Sequence, residues 1–162
     1  GWIVGPPHII NRAKALLTHI GAWAPHPEQE ATANVLGTPG ALDSFNQTMH
    51  HEVRQRLDTL YNGVQELKAA GLPIDAIAPQ GAIYLSVQFD LVGKSIDGVA
   101  ITANSQIGDL LLSEAGVAVV PFQAFGLMEE TGWMRLSVGA VSLADIERAI
   151  PAIRALLERA KA

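Results

Sequence analysis

The feature that most constrains this chain is the run from Thr38 to Ala70, in which Leu42, Phe45, Met49, Val53, Leu57, Leu60, Val64 and Leu67 recur three or four positions apart. That spacing gathers them on one side of an α-helix. Thr38-Pro39 reads as an N-cap with proline at the first helical position, and Gly71 and Pro73 read as the stop. At 1.5 Å rise per residue the helix would span roughly 45 Å, longer than a small domain is wide. Such a helix is expected to join two packed units, with the boundary near Gly37 to Gly40.

The elements on either side are shorter. Gly1-Trp2-Ile3-Val4-Gly5 is an apolar run expected to be a strand, closed by Pro6-Pro7. A strand already under way with no initiator Met reads as a piece of a longer protein. From His8, the positions Ile9, Ile10, Ala13, Leu16, Leu17 and Ile20 predict a helix, with Gly21 at its C-terminal cap. Ala22 to Pro27 is a connection and Glu28 to Leu36 a short helix. Beyond the long helix, strands are expected at Gly81–Asp90, Val117–Val120 and Trp133–Val138. A helix over Thr102–Ala115 should end at Gly116, and Phe122–Gly132 should be a loop. Ser142 and Asp145 have the spacing of a capping box opening a last helix, which Pro151 should kink.

With 49% hydrophobic and 17% charged residues, the chain can bury a sizeable core and is not of the disordered class. A net charge of −5 argues against a nucleic-acid surface, because phosphate binding needs clustered Lys and Arg. The absence of cysteine excludes disulfides, thiolate-zinc sites and a cysteine nucleophile. No window approaches eighteen uninterrupted apolar residues, so no transmembrane helix is expected and neither a membrane nor a nucleic acid is an expected partner. A cytoplasmic location fits.

Among possible chemical motifs, His50-His51-Glu52 lacks the second histidine four positions on that a zinc-binding helix needs; positions 54 and 55 are Arg54 and Gln55. Adjacent histidines point about 100° apart on a helix and do not chelate one ion together. The serine-hydrolase elbow, the dinucleotide fingerprint and the phosphate loop are all missing. Glu129-Glu130 reads as a solvated acidic turn. Arg135 differs, because it lies inside the strand Trp133-Met134-Arg135-Leu136-Ser137-Val138. Alternation puts Met134, Leu136 and Val138 on one face and Trp133, Arg135 and Ser137 on the other. A guanidinium held on a rigid strand can grip a carboxylate through two parallel hydrogen bonds. On spacing alone, an ordinary arginine on the solvent side of a half-buried strand is the favoured reading.

Four segments in order carry a family resemblance. Gly1-Trp2-Ile3-Val4-Gly5-Pro6 resembles the strand that follows the cofactor lysine in class I/II aminotransferases of the pyridoxal-phosphate fold type I. Gln80-Gly81-Ala82-Ile83-Tyr84 resembles their glycine-aromatic strand. Gly116-Val117-Ala118-Val119-Val120-Pro121 with Ala124-Phe125-Gly126 is similar to their G-V-x-V-x-P-G-x-x-F-G segment, and Arg135-Leu136-Ser137 to their late arginine strand. The resemblance spans essentially the whole chain. It implies an α/β protein in which residues 1–40 are the remnant of a large cofactor domain. Residues 41–162 would be the long helix and an α+β small domain.

It further implies an aminotransferase moving an amino group between an amino acid and a 2-oxo acid, homodimeric, with pyridoxal 5'-phosphate as cofactor. Arg135 would bind the substrate α-carboxylate, and Ile83 would take the place of an aromatic close to the substrate. Phe122 replaces the usual glycine after the proline, and His26 lies in a region that approaches the neighbouring subunit's site. The cofactor-holding lysine, the phosphate-binding arginine and the partners of the pyridine ring correspond to positions before Gly1. Lys14, Lys68, Lys94 and Lys161 match none of that motif, so the chain alone is expected to be inactive. A non-catalytic binding or regulatory domain of the same fold, a pyridoxal-phosphate lyase, and an unrelated α/β binding module remain alternatives.

Overall fold

The computed structural model describes residues 3–21 and 23–161. Two compact units divide the chain, Gly1–Asn46 and Gln47–Ala162.

In the first unit, α1 spans Pro7–Ile20 and α2 spans His26–Gly37. Both begin on a proline turn, and Gly21 ends α1 in the left-handed conformation, φ 68°, returning its N–H to the Leu17 carbonyl. Neither helix buries a residue completely; along the apolar stripe of α1 only Ile10 and Ala13 are half-buried. Ile3, Val4 and Gly5 form no strand and are exposed, Val4 by 98%. A strand needs a neighbour to accept its ladder, and among the described residues none is paired there; Gly1 and Trp2 of the expected strand lie outside the described residues.

The long helix, α3 (Asp43–Ala69), starts later than its cap signal suggests. Thr38 does not cap it; the Thr38 hydroxyl donates back to the Asn34 carbonyl at 2.8 Å, at the end of α2. Gly40 then takes φ 77°, which no α-helix accommodates. Its 27 residues still span roughly 40 Å. Leu57, Leu60, Val64 and Leu67 are buried as the spacing requires, whereas Phe45 and Met49 are exposed.

The second unit is α+β. Four antiparallel strands form one sheet in the order β1 (Ile74–Ala76), β2 (Tyr84–Phe89), β6 (Trp133–Ser137), β5 (Val120–Pro121). A smaller sheet joins β3 (Ser95–Ile96) to β4 (Val99–Ala100) and β7 (Ala160–Lys161). Helices α4 (Asn104–Ala115) and α5 (Leu143–Leu157) pack with α3 on the apolar face of the larger sheet. That face carries Leu85, Val87 and Phe89 of β2 with Met134 and Leu136 of β6, all buried. The alternation read in 133–138 therefore holds. The capping box holds too: the Asp145 carboxylate accepts the Ser142 N–H at 2.8 Å, and the Ser142 hydroxyl accepts the Asp145 N–H at 3.2 Å. α5 continues through Pro151. Among the described residues, no helix is long and apolar enough to cross a membrane.

Candidate functional site

Arg135 sits at the middle of β6, opposite Ser86 of β2 on one side and Val120 of β5 on the other. With both edges of its strand hydrogen-bonded, its backbone is fixed, and alternation sends its side chain to the face away from the core. The guanidinium carbon lies 4.1 Å from the centre of the Tyr84 ring and 4.3 Å from that of Phe125. Each cation–π contact is worth on the order of 0.5–2 kcal/mol according to its desolvation. The five N–H donors of a guanidinium lie in its plane, so an acceptor must approach along that plane.

No carboxylate among the described residues pairs with Arg135. Arg56, Arg148 and Arg154 each have one (Glu52, Asp145 and Glu158) and Arg159 has two, Asp97 and Glu114. Arg12 and Arg54 have none either among the described residues, but both are exposed on their helices, whereas Arg135 is half-buried. The two carboxylates on Arg159 also push its pKa up. A half-buried, aromatic-flanked guanidinium without an internal anion is chemically suited to an external carboxylate.

Phe125 reaches Arg135 from the 3-10 turn Phe122–Phe125, which Gly126 ends at φ 94°. Phe122 packs edge-on against Phe125 and lies against Trp133, each at 6.2 Å between ring centres. Phe122 thus fills with an aromatic ring the place where the family resemblance leads one to expect glycine. Gln123, within the turn, and Gly132, beyond it, are both hydrogen-bonded to Asn104 at the start of α4, at 2.9 and 2.8 Å. Glu130 is more than a solvated acid: its carboxylate accepts the Asn104 N–H and, at 3.1 Å, a Gln123 amide N–H.

Ile83 lies just ahead of β2, where its carbonyl accepts the Val138 N–H at 2.9 Å. Its side chain packs on Gly139, with Cδ1 2.8 Å from where a β-carbon on that glycine would stand. The ring against Arg135 belongs to its neighbour, Tyr84. Nothing in the spacing singles out Tyr84, Phe125 or Asn104; only the even-numbered parity of Tyr84 in β2, matching the outward face, hints at the first. His26 is exposed at the start of α2, 3.6 Å from Glu30. His50 and His51 border a shallow groove with Arg54, Asp58 and Gly81, and no three potential ligands converge for a metal among the described residues.

These residues fit a carboxylate and not the pyridoxal cofactor. Lys68 Nζ is bound to Asp75 and Lys94 Nζ to Asp90, each at 2.8 Å. Lys14 lies on α1 and Lys161 on β7. No lysine lies on β2, β6 or the Phe122–Phe125 turn that frame Arg135.

The family model of class I and II aminotransferases matches residues 1–153. An aspartate aminotransferase of Streptomyces avermitilis is 32% identical over 99% of this chain and 37% of its own length. The crystal structure of the aspartate aminotransferase from Rhizobium meliloti superposes with a TM-score of 0.75 at 26% identity, covering 97% of this chain and 37% of that one. The aspartate aminotransferase from Thermus thermophilus with maleate gives a TM-score of 0.72 at 26% identity, over 94% and 35% respectively. The chain thus spans little more than a third of the length of these relatives. The unrelated-module reading falls, and the α+β unit is a small-domain fold of this group: the chain belongs to the class I and II aminotransferase family.

Proposed function

We propose that this chain is the C-terminal part of a pyridoxal-phosphate-dependent aminotransferase, in which Arg135 binds the α-carboxylate of an amino acid or 2-oxo acid. The observation that supports this is the state of Arg135: fixed on a central strand, flanked by Tyr84 and Phe125, and without an internal carboxylate among the described residues. Two parallel N–H···O bonds would set the orientation of the substrate as well as its charge. Fixing that orientation removes part of the entropic barrier to reaction between two partners. Ile83, at the entrance to β2, is proposed to border the bound substrate.

The cofactor is proposed from the family alone; the residues that would hold it correspond to positions before Gly1, and none of the four lysines replaces them. The 162-residue chain is therefore expected to bind a carboxylate without transaminating. Residues 1–40 are proposed to belong to the cofactor domain, and the complete enzyme is proposed to be a cytoplasmic homodimer.

The test is calorimetric titration of the chain with maleate, the dicarboxylate named with the Thermus thermophilus relative. Arg135→Lys keeps the charge but replaces the planar fork with a point charge. Losing one charged hydrogen bond costs about 1.5–3 kcal/mol, so affinity should fall roughly 10- to 100-fold. Equal affinities for the two proteins would remove Arg135 from the site.

A further inference from the structure

We propose that Asn104 is a positioning residue for the Arg135 guanidinium, acting through the 122–132 loop and the Phe125 ring; its functional consequence rests on the carboxylate-binding reading of Arg135.

Asn104 is the buried polar residue of the described core, 2% exposed. A buried amide is tolerated only when hydrogen-bonded, and the side chain uses both ends. Oδ1 accepts the Gly132 N–H at 2.8 Å, and Nδ2 donates to Gln123 Oε1 at 2.9 Å. Because the Gly132 N–H can only donate, the orientation of the Asn104 amide is fixed. Gln123 donates in turn to the Glu129 carbonyl and to the Glu130 carboxylate, both at 3.1 Å, and Glu130 accepts the backbone N–H of Asn104.

One side chain thus pins the loop at two points nine positions apart in the sequence. The first pin, Gln123, lies inside the turn that carries Phe125, and its carbonyl accepts the Gly126 N–H at 3.1 Å. The second, Gly132, immediately precedes β6, three positions before Arg135. The ring on the guanidinium and the strand that bears the guanidinium are therefore both referenced to Asn104. Releasing the loop would let Phe125 leave, hydrate one surface of the guanidinium and free the fork to turn about its side-chain bonds.

The experiment uses the ¹⁵N-labelled 162-residue chain. The Arg135 Nε–H resonance, identified by its loss in Arg135→Lys, should lie upfield of the other arginines through the ring currents of Tyr84 and Phe125. Phe125→Leu should remove part of that shift and weaken maleate binding about five-fold. Asn104→Ala and Gln123→Ala should reproduce both effects, and Asn104→Ala should add nothing in a Phe125→Leu background. Lowered thermal stability with an unmoved Arg135 resonance would overturn the proposal and leave Asn104 a structural residue. Additive effects in the double variant would also overturn it. Should Asn104→Ala not fold, Gln123→Ala, on the half-exposed loop, decides through the same resonance. Failure of the wild-type chain to bind maleate would defeat the carboxylate reading, while the resonance would still decide the positioning.

Discussion

The Arg135 guanidinium carbon lies 4.1 Å from the centre of the Tyr84 ring, although the two residues are 51 positions apart and their strands pair Tyr84 with Ser137. The contact is diagonal across the outward face of the sheet, within reach of long and aromatic side chains. Tyr84→Leu keeps an apolar neighbour and removes the π-system. Carboxylate affinity should fall about five-fold, corresponding to roughly 1 kcal/mol for one cation–π contact. Titration with maleate checks it, and an unchanged affinity would show that the ring serves packing only.

Gly132 is committed to its place by two constraints. Its φ is +75°, and a β-carbon there would stand 2.1 Å from the Phe89 carbonyl oxygen, an atom of the backbone with no room to yield. Meanwhile the Phe89 N–H donates to the Gly132 carbonyl at 2.9 Å. Gly132→Ala should cost at least about 3 kcal/mol in chemical denaturation. A midpoint within error of wild type would contradict this local geometry.

Acid should loosen the start of α5. The Ser142 hydroxyl and N–H hold the Asp145 carboxyl below its ordinary value of 3.8. A carboxylate with a lowered pKa in the folded state contributes stability that is complete above the ordinary value and disappears as pH falls through the lowered one. Asp75, held down by Lys68 and the Ala76 N–H, acts in the same direction. Thermal melting from about pH 6 down to about pH 2 should therefore show a steeper acid decline for wild type than for Asp145→Asn. Parallel curves would contradict the assignment.

Pro151 interrupts the hydrogen-bond ladder of α5, yet the helix runs on from Leu143 to Leu157 and the proline ring is exposed. Pro151→Ala should therefore stabilise the chain by about 1–3 kcal/mol, since alanine restores the missing donor and relieves crowding in the preceding turn. A lower melting temperature for the variant would mean that the proline is needed for the course of α5.

Periodicity exposed what is long and one-sided in this fold. The buried stripe Leu57, Leu60, Val64, Leu67 and the alternation around Arg135 could both be read from spacing, as could the glycine stops at Gly21 and Gly116. The strands β1, β3, β4 and β7 escaped because two or three residues are too few to show a period. The start of α3 was misjudged because Thr38-Pro39 is a sound cap signal, and the positive φ of Gly40 that overrides it has no signature beyond the glycine itself. Arg135 stood out by resemblance, not spacing. Its surroundings were invisible for a different reason: Tyr84, Phe125 and Asn104 meet through contacts between distant segments, which no local pattern records.

The strand order has a consequence for synthesis. β6 is the last of its sheet to leave the ribosome, yet it lies between β2 and β5. Until it is made, the β1–β2 hairpin presents an unpaired edge, and β5 has no neighbour to accept it. A nascent chain at that stage carries the same exposed ladder that drives edge-to-edge aggregation. The late segment around Arg135 is therefore the closure piece of the sheet, so slow translation between Phe89 and Trp133 would prolong the interval during which the β2 edge stays open.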